Sequence, residues 1–179
     1  GILVYNYRTD KYEQPETDFP TDVRTMALQG DTLWIGSLNG LYTYQLNTKK
    51  LASLDSKSNG LPHHTIYSII RTTDNQIYVG TYNGLCRYIE ESGKFENIPL
   101  PVNRNVSNLF VNSLLEDTSR QCIWIGMEGS LFCHGKCQMS LTYRLPLPHK
   151  CNCQVQSHSC SYGYVQGYSE VLFFQNTLR

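Results

Sequence analysis

One phrase occurs three times in this chain, as Leu33-Trp34-Ile35-Gly36, as Ile77-Tyr78-Val79-Gly80 and as Ile123-Trp124-Ile125-Gly126. Each copy is followed within a few residues by a turn and a second apolar run. The glycines that close the three copies lie at positions 36, 80 and 126, so the phrase recurs after 44 and then after 46 residues. A repeat of this length that contains only strand signals is typical of a β-propeller blade.

The second repeat shows how one blade is built. Its residue pattern predicts four strands, over 65–71, 77–81, 85–89 and 95–98. The second strand is apolar at successive positions, which is typical of a strand buried on both faces. After it, Asn83-Gly84 predicts a type I′ hairpin turn, because both central residues of that turn need positive φ.

The other repeats follow the same order, and no window carries the apolar period of a helix. The predicted fold class is therefore all-β: a partial β-propeller of about three four-stranded antiparallel blades with an irregular C-terminal tail. The expected divisions are the end of a preceding blade at 1–20, a blade at 21–55, a second blade at 56–100, an incomplete blade at 101–136 and a divergent tail at 137–179. Because the chain begins in mid-blade, we interpret it as a fragment.

Composition argues against two classes of partner. The 179 residues carry 15 Lys and Arg against 15 Asp and Glu, so the formal net charge is zero. This balance argues against nucleic acid, and against an anionic membrane surface, bound through bulk charge. The sequence also contains no run of apolar residues long enough to predict a transmembrane helix.

Cysteine usage is uneven along the chain. Cys86 and Cys122 lie in the repeats and are expected to be small buried hydrophobic residues, whereas the other five cysteines fall between 133 and 160. The repeat pattern stops in the same region, and the composition changes abruptly. We favour an out-of-frame reading of the coding sequence as the origin of this tail. The alternatives are a genuine divergent tail or small second domain, and a metal site.

The metal alternative depends on few residues. Cys133 and Cys137 have the spacing of a zinc-ligand pair, but Cys151 and Cys153 lie closer together than such pairs usually do. No second well-spaced pair completes a set of four ligands. We therefore expect neither a metal ion nor a cofactor.

The sequence assigns no catalytic residue. His63-His64 lies in the connection between two predicted blades, and Ser68 and Asp74 follow it. A Ser-His-Asp assembly would require these side chains to converge in the fold, and the pattern favours an ordinary polar loop. Glycine-rich phosphate-binding sequences are absent from the chain.

A ligand is expected on one particular face of such a propeller. The loops that join the second strand of a blade to its third, and the fourth strand to the next blade, lie on the same side. The longest of these loops are the connections 55–64 and 99–108. Loops that a rigid scaffold holds in place frequently carry recognition. The candidate ligand-binding residues are His63, His64, Asn103, Arg104 and Asn105.

The repeats resemble those of a known family. The phrase, followed by Asn-Gly-Leu-Tyr-x-Tyr at 39–44, is similar to the two-component regulator propeller repeat, and so is the inter-blade stretch 59–69. The resemblance covers residues 1 to about 133. The blades lack the Gly-His and Trp-Asp pairs of WD40 repeats and the paired glycines of kelch repeats.

The resemblance implies the periplasmic sensor of a hybrid two-component system. In such sensors two successive propellers precede an immunoglobulin-like domain, a membrane helix and a histidine kinase, and they commonly respond to oligosaccharides. The chain itself would then not be an enzyme. Its partners would be the remaining blades and the kinase of the full-length sensor, an oligosaccharide, and a second copy of the full-length protein. A propeller enzyme such as a polysaccharide lyase or glycosidase, and a protein-binding scaffold, are the alternatives.

Overall fold

The structure, a computed structural model, describes residues 1–13, 17–54, 56–100, 109–128 and 130–135. The predicted tail at 137–179 lies outside these residues, so its origin stays a prediction. Three of the candidate ligand-binding residues, Asn103, Arg104 and Asn105, lie outside them as well. Within the described part of the chain, no helix has the length and apolar character needed to cross a membrane.

Four antiparallel sheets make up the described structure, each with its strands in sequence order. A hairpin pairs β1 (Val4–Asn6) with β2 (Lys11–Glu13). The first four-stranded sheet contains β3 (Val23–Gln29), β4 (Thr32–Ser37), β5 (Gly40–Gln45) and β6 (Lys50–Leu54). The second contains β7 (Ile66–Arg71), β8 (Ile77–Thr81), β9 (Gly84–Ile89) and β10 (Lys94–Ile98). A three-stranded sheet contains β11 (Val111–Asp117), β12 (Cys122–Met127) and β13 (Ser130–Gly135).

This architecture confirms the predicted all-β class. Trp34, Tyr78 and Trp124 occupy equivalent positions on β4, β8 and β12, as the repeated phrase indicates. Two details differ from the prediction. A single helical turn, α1 (Ser56–Asn59), lies in a connection for which the sequence predicted no helix. The first strand of the third sheet begins at Val111, two residues later than expected.

The hairpin turns also differ from the prediction. Thr81 pairs with Gly84, so the central residues of the turn are Tyr82 and Asn83, and the predicted pair is wrong by one position. The positive φ falls on Gly84, at 110°, where the next strand begins. The Thr81 hydroxyl closes the turn, because it accepts a hydrogen bond from the Asn83 N–H and donates one to the Gly84 carbonyl, both at 3.0 Å. Ser37 makes the same pair of bonds in the first sheet.

Neighbouring blades make close contact at the glycines that close the first two phrases. A Cβ added to Gly36 would lie 2.5 Å from Cγ2 of Ile66, the first residue of β7. A Cβ added to Gly80 would lie 2.6 Å from Cγ1 of Val111, the first residue of β11. The first residue of the next inner strand therefore fills the space that a side chain would need. The inner strand of the same blade also crowds this position, through Thr25 at Gly36, Ser68 at Gly80 and Ser113 at Gly126, so no side chain fits where the phrase ends.

Hydroxyl groups add polar contacts between the inner strands. Thr25 Oγ1 accepts a hydrogen bond from the Ile69 N–H at 3.1 Å, which links β3 to β7. Ser68 Oγ donates a hydrogen bond to the Val111 carbonyl at 3.4 Å, which links β7 to β11. The inner strands β3, β7 and β11 thus lie side by side, as they do around the axis of a propeller.

Apolar cores fill the spaces between the sheets. The core between the first and second sheets contains Trp34, Leu41, Leu61, Ile66, Ile69, Ile77, Val79, Cys86 and Phe95. The core between the second and third sheets contains Leu85, Val111, Ile123, Ile125, Met127 and Phe132. Cys86 and Cys122 are both buried, as predicted. Burial raises the pKa of the Cys86 thiol, so this group stays protonated and unreactive at neutral pH.

Candidate functional site

One end of the blades carries the connection that contains His63 and His64. The Thr65 hydroxyl donates a hydrogen bond to the Leu38 carbonyl at 3.0 Å, which places this connection beside the turn between β4 and β5. The Tyr82 N–H donates to the Thr65 carbonyl at 3.0 Å, which brings in the turn between β8 and β9. We call the end of the blades formed by these residues the loop face.

Five aromatic rings lie in an unbroken series on the loop face. His64 and His63 stack with their centroids 4.3 Å apart and their planes at 25°. His63 contacts Tyr82 at 5.1 Å, Tyr82 contacts Phe110 at 5.7 Å, and Phe110 contacts Tyr67 at 4.1 Å. We call these five rings the aromatic row. Because Tyr67 and Tyr82 belong to the second sheet and Phe110 directly precedes β11, the row crosses from one blade to the next.

His63 is held in its neutral form. His63 Nδ1 accepts a hydrogen bond from the Thr65 N–H at 3.0 Å, so this nitrogen carries no proton. Partial burial lowers the pKa of His63, and repulsion from His64 lowers it further. At neutral pH His63 therefore contributes an uncharged ring to the row.

The aromatic row is open to solvent along part of its length. Tyr82 is 44% exposed and His64 is exposed too, whereas His63, Phe110 and Tyr67 are half-buried. Exposed aromatic faces stack on flat apolar surfaces, and the edges of His and Tyr supply hydrogen-bonding groups. The row can therefore hold a ligand that combines apolar faces with hydroxyl groups.

An open cleft of about 360 Å³ lies next to the aromatic row. Its walls are Pro62, Asn83, Gly84, Leu85, Asn97, Ile98, Pro99, Leu100 and Leu109. Residues 101–108, which join two of these wall residues, lie outside the described chain. The cleft continues the loop face towards the third sheet.

The structure brings together only part of the predicted ligand site. It places His63 and His64 side by side on the loop face, and their binding role stays a prediction. Sequence analysis missed Tyr82, Phe110 and Tyr67. Tyr82 sits in an exposed two-residue turn, a position where small and polar residues are usual, so its large aromatic side chain is the feature that could have identified it.

The residues considered for catalysis do not assemble. Ser68 is buried, and its hydroxyl is bonded to the Val111 carbonyl. Asp74 follows β7 whereas His63 precedes it, and the Asp74 carboxylate accepts a hydrogen bond from the Thr72 hydroxyl at 2.5 Å. Within the described residues, no three His, Cys, Asp or Glu side chains are grouped so as to hold a metal ion. Four of the five tail cysteines lie outside these residues, so the expected absence of metal stays a prediction.

Solved structures share both sequence and fold with this chain. Two crystal structures of the extracellular domain of one B. thetaiotaomicron protein are 78% and 76% identical to it, with TM-scores of 0.72 and 0.73. That protein is called a one-component system in the first case and a hybrid two-component system in the second. The alignments cover 75% and 77% of this chain and 18% of each solved chain. The extracellular domain of another B. thetaiotaomicron hybrid two-component system shares the fold, with a TM-score of 0.65 at 19% identity, over 82% of this chain and 19% of that chain.

Sequence comparisons agree with this similarity. Histidine kinase P4 of Formosa agariphila is 27% identical over 148 residues, which cover 73% of this chain. The chain spans only 10% of the length of that relative. The model of the two-component regulator propeller family matches residues 60–83, a stretch that contains His63, the second copy of the phrase and Tyr82. The stretch 60–83 therefore carries a repeat of the two-component regulator propeller family.

Proposed function

We propose that this chain is part of the extracytoplasmic sensor propeller of a hybrid two-component regulatory system, and that its loop face binds a glycan-derived ligand. The solved extracellular domains that are 76% and 78% identical support the sensor assignment. The aromatic row on the loop face is the observation that supports ligand binding.

The chemistry of the row suits a sugar. A pyranose ring has apolar C–H faces that pack on aromatic rings and hydroxyl groups that bond to polar edges. The exposed ring of Tyr82 offers such a face, and Asn83 beside it offers an amide. Because His63 is neutral, a sugar bound at this point needs no charge of its own.

The chain acts in this proposal as a binding and transmitting part and not as an enzyme. Its partners are the remaining blades and the kinase of the full-length sensor, an oligosaccharide, and a second copy of that sensor. The interlocked inner strands hold the loop face as one rigid surface, so a bound ligand can bias how that surface meets its neighbours. Any kinase activity belongs to other parts of the full-length protein.

A reporter experiment with the full-length protein tests this proposal. The probe is a panel of defined oligosaccharides, with neutral members (malto-, xylo- and galactotetraose) and an acidic member (tetragalacturonate). In cells that express the sensor and a reporter of its target promoter, we expect one panel member to induce. His64→Ala and Tyr82→Ala should weaken induction about tenfold, because each removes a ring contact with the sugar. Arg104→Ala tests the predicted contribution of the second long loop.

A matched variant controls for the loss of a tyrosine. Tyr7→Ala removes an exposed tyrosine (75% exposed) from the turn after β1, away from the row, and should leave induction unchanged. Melting curves of each purified extracellular domain establish that the variants fold. An unchanged response in His64→Ala and Tyr82→Ala would move the site elsewhere. Cleavage of a panel member by the purified domain would favour a lyase or glycosidase instead.

A further inference from the structure

The three inner strands share an irregularity at the same position. The register of β3 with β4 shifts between Val23 and Thr25, which leaves Arg24 as a bulged residue. The register of β7 shifts around Tyr67 in the same way, and that of β11 shifts around Asn112. A bulge takes one residue out of the hydrogen-bonded ladder and re-aims its side chain. In each inner strand the bulge is the second residue, at the end next to the loop face.

The residue before each bulge has a fixed structural role. This position holds a β-branched residue in all three strands, namely Val23, Ile66 and Val111. Ile66 packs against Gly36 and Val111 packs against Gly80, so this position forms the contact with the preceding blade. Its residue type is therefore set by the framework of the propeller.

The residue after each bulge has a second structural role. This position holds a small hydroxyl residue in all three strands, namely Thr25, Ser68 and Ser113. Each pairs across the strand with the glycine that closes the phrase of its own blade. Thr25 and Ser68 also make the hydrogen bonds to the next inner strand.

The bulge position itself varies between the blades. It holds a cationic, an aromatic and an amide side chain, in Arg24, Tyr67 and Asn112. Arg24 is exposed, and Tyr67 and Asn112 are half-buried. Tyr67 belongs to the aromatic row through its contact with Phe110 at 4.1 Å. The bulge position varies in chemistry, whereas the positions on either side keep one residue type, so the bulge residue next to the binding surface is free to serve recognition.

We infer that the three bulge residues Arg24, Tyr67 and Asn112 determine the specificity of the loop face. The inference rests on the proposed function, because it concerns which sugar the same site accepts. The aromatic row holds a sugar through its apolar faces, which many sugars share. The guanidinium, phenol and amide of the bulge residues then distinguish sugars by the hydroxyl and acidic groups that they present.

Dose–response curves of the full-length sensor test the inference, with the same oligosaccharide panel as the probe. Arg24→Ala, Tyr67→Phe and Asn112→Ala should each shift the half-maximal concentration of an inducing panel member about tenfold, or change the order in which panel members induce. Tyr67→Phe keeps the ring and removes only the hydroxyl, so it separates recognition from packing. Arg71→Ala is the matched control, because Arg71 is an exposed arginine at the opposite end of an inner strand.

The outcomes separate the inference from the proposed function. If the curves of all three bulge variants stay within about twofold of wild type while Tyr82→Ala weakens induction about tenfold, the inference is overturned and the proposed function stands. A sensor that no panel member induces, or an unaffected Tyr82→Ala, would overturn both. Each bulge variant must melt at the same temperature as wild type, which establishes that it folds. If Arg71→Ala shifts the half-maximal concentration as much as Arg24→Ala does, the inference is also overturned.

Discussion

At the scale of single residues, the closing glycines of the first two phrases have a structural role that extends beyond their own blades. Gly36 and Gly80 lie in the middle strands of their sheets, and the first inner-strand residue of the following blade packs directly on them. The repeated glycine therefore marks a position where neighbouring strands leave no space for a side chain, and it does not mark a turn.

Gly80→Ala should lower the free energy of unfolding by about 3 kcal/mol, because overpacking is costly where the neighbours cannot withdraw. The added Cβ would lie 2.6 Å from Val111 Cγ1 and 3.0 Å from the Val111 carbonyl oxygen, which belongs to the backbone. Chemical denaturation of the proposed extracytoplasmic domain gives the measurement. Gly30→Asn is the control, since Gly30 has φ near +55°, which asparagine tolerates, and open space around it. Equal stability of Gly80→Ala and wild type would contradict the packing argument.

His63 makes the stability of the loop face depend on pH. Its pKa in the folded state lies below its ordinary value of 6.5, so below about pH 6.5 the unfolded chain binds more protons than the folded one. The stabilising contribution is fully present above that pH and is lost as the pH falls through the folded pKa. His63→Asn keeps an acceptor for the Thr65 N–H and removes the titrating ring. Melting temperatures between pH 7.5 and pH 5 should fall less in this variant, and identical falls would show that His63 is not the group responsible.

At the scale of elements, the turn between β8 and β9 is fixed by a side chain and not by its glycine. The buried Thr81 hydroxyl satisfies the Asn83 N–H and the Gly84 carbonyl. This arrangement needs no positive φ inside the turn, so a turn other than type I′ connects the strands.

Thr81→Val should destabilise the extracellular domain by about 2 kcal/mol. Valine fills the same volume as the buried Thr81 side chain but leaves the Asn83 N–H and the Gly84 carbonyl without this partner. Urea denaturation measures the loss. Thr48→Val, at an exposed turn position, is the matched control and should change stability little. A similar small change in both variants would mean that water replaces the Thr81 hydroxyl at no cost.

The sequence predicted the strands well and their pairing less well. Apolar runs and turn residues locate β8 at 77–81 without error, because strand propensity and the turn residues at the strand ends are local signals. The bulges at Arg24, Tyr67 and Asn112 have no such local signal, since they arise where one blade fits against the next.

The candidate site was also predictable only where the signal is local. His63 and His64 stand out as polar residues in a long loop. Tyr82 and Phe110 are 28 residues apart in sequence, and their ring contact depends on the fit between two blades. A single sequence does not give the pairing register of the strands, so it cannot predict that these two rings are in contact.

At the scale of the whole molecule, the described blades leave their two outermost surfaces uncovered. On β3, Met26 is 51% and Leu28 is 50% exposed, on the side facing away from the second sheet. Trp34 is 3% exposed because the second sheet covers it, as its ring contact with Tyr88 at 4.8 Å shows. Its equivalent Trp124, in the last described sheet, is only half-buried.

The isolated chain of 179 residues should therefore associate or remain partly unfolded in solution, because exposed apolar patches of this kind drive association. Light scattering coupled to size exclusion, together with binding of a hydrophobic dye, tests this expectation. The proposed full-length sensor domain, in which additional blades would cover these surfaces, is the control and should be monodisperse. A sharp cooperative melt of a monomeric isolated chain would contradict the expectation.

The contact between Ile66 and Gly36 also affects how such a protein can gain repeats by duplication. One repeat carries both halves of the contact, the glycine on its second strand and the β-branched residue at the start of its first. A duplication of one unit of 44 or 46 residues therefore copies both the glycine and the β-branched residue that packs on it. Unequal recombination between repeats can change the number of units without any compensating substitution, while the bulge positions of the new copy are free to diverge.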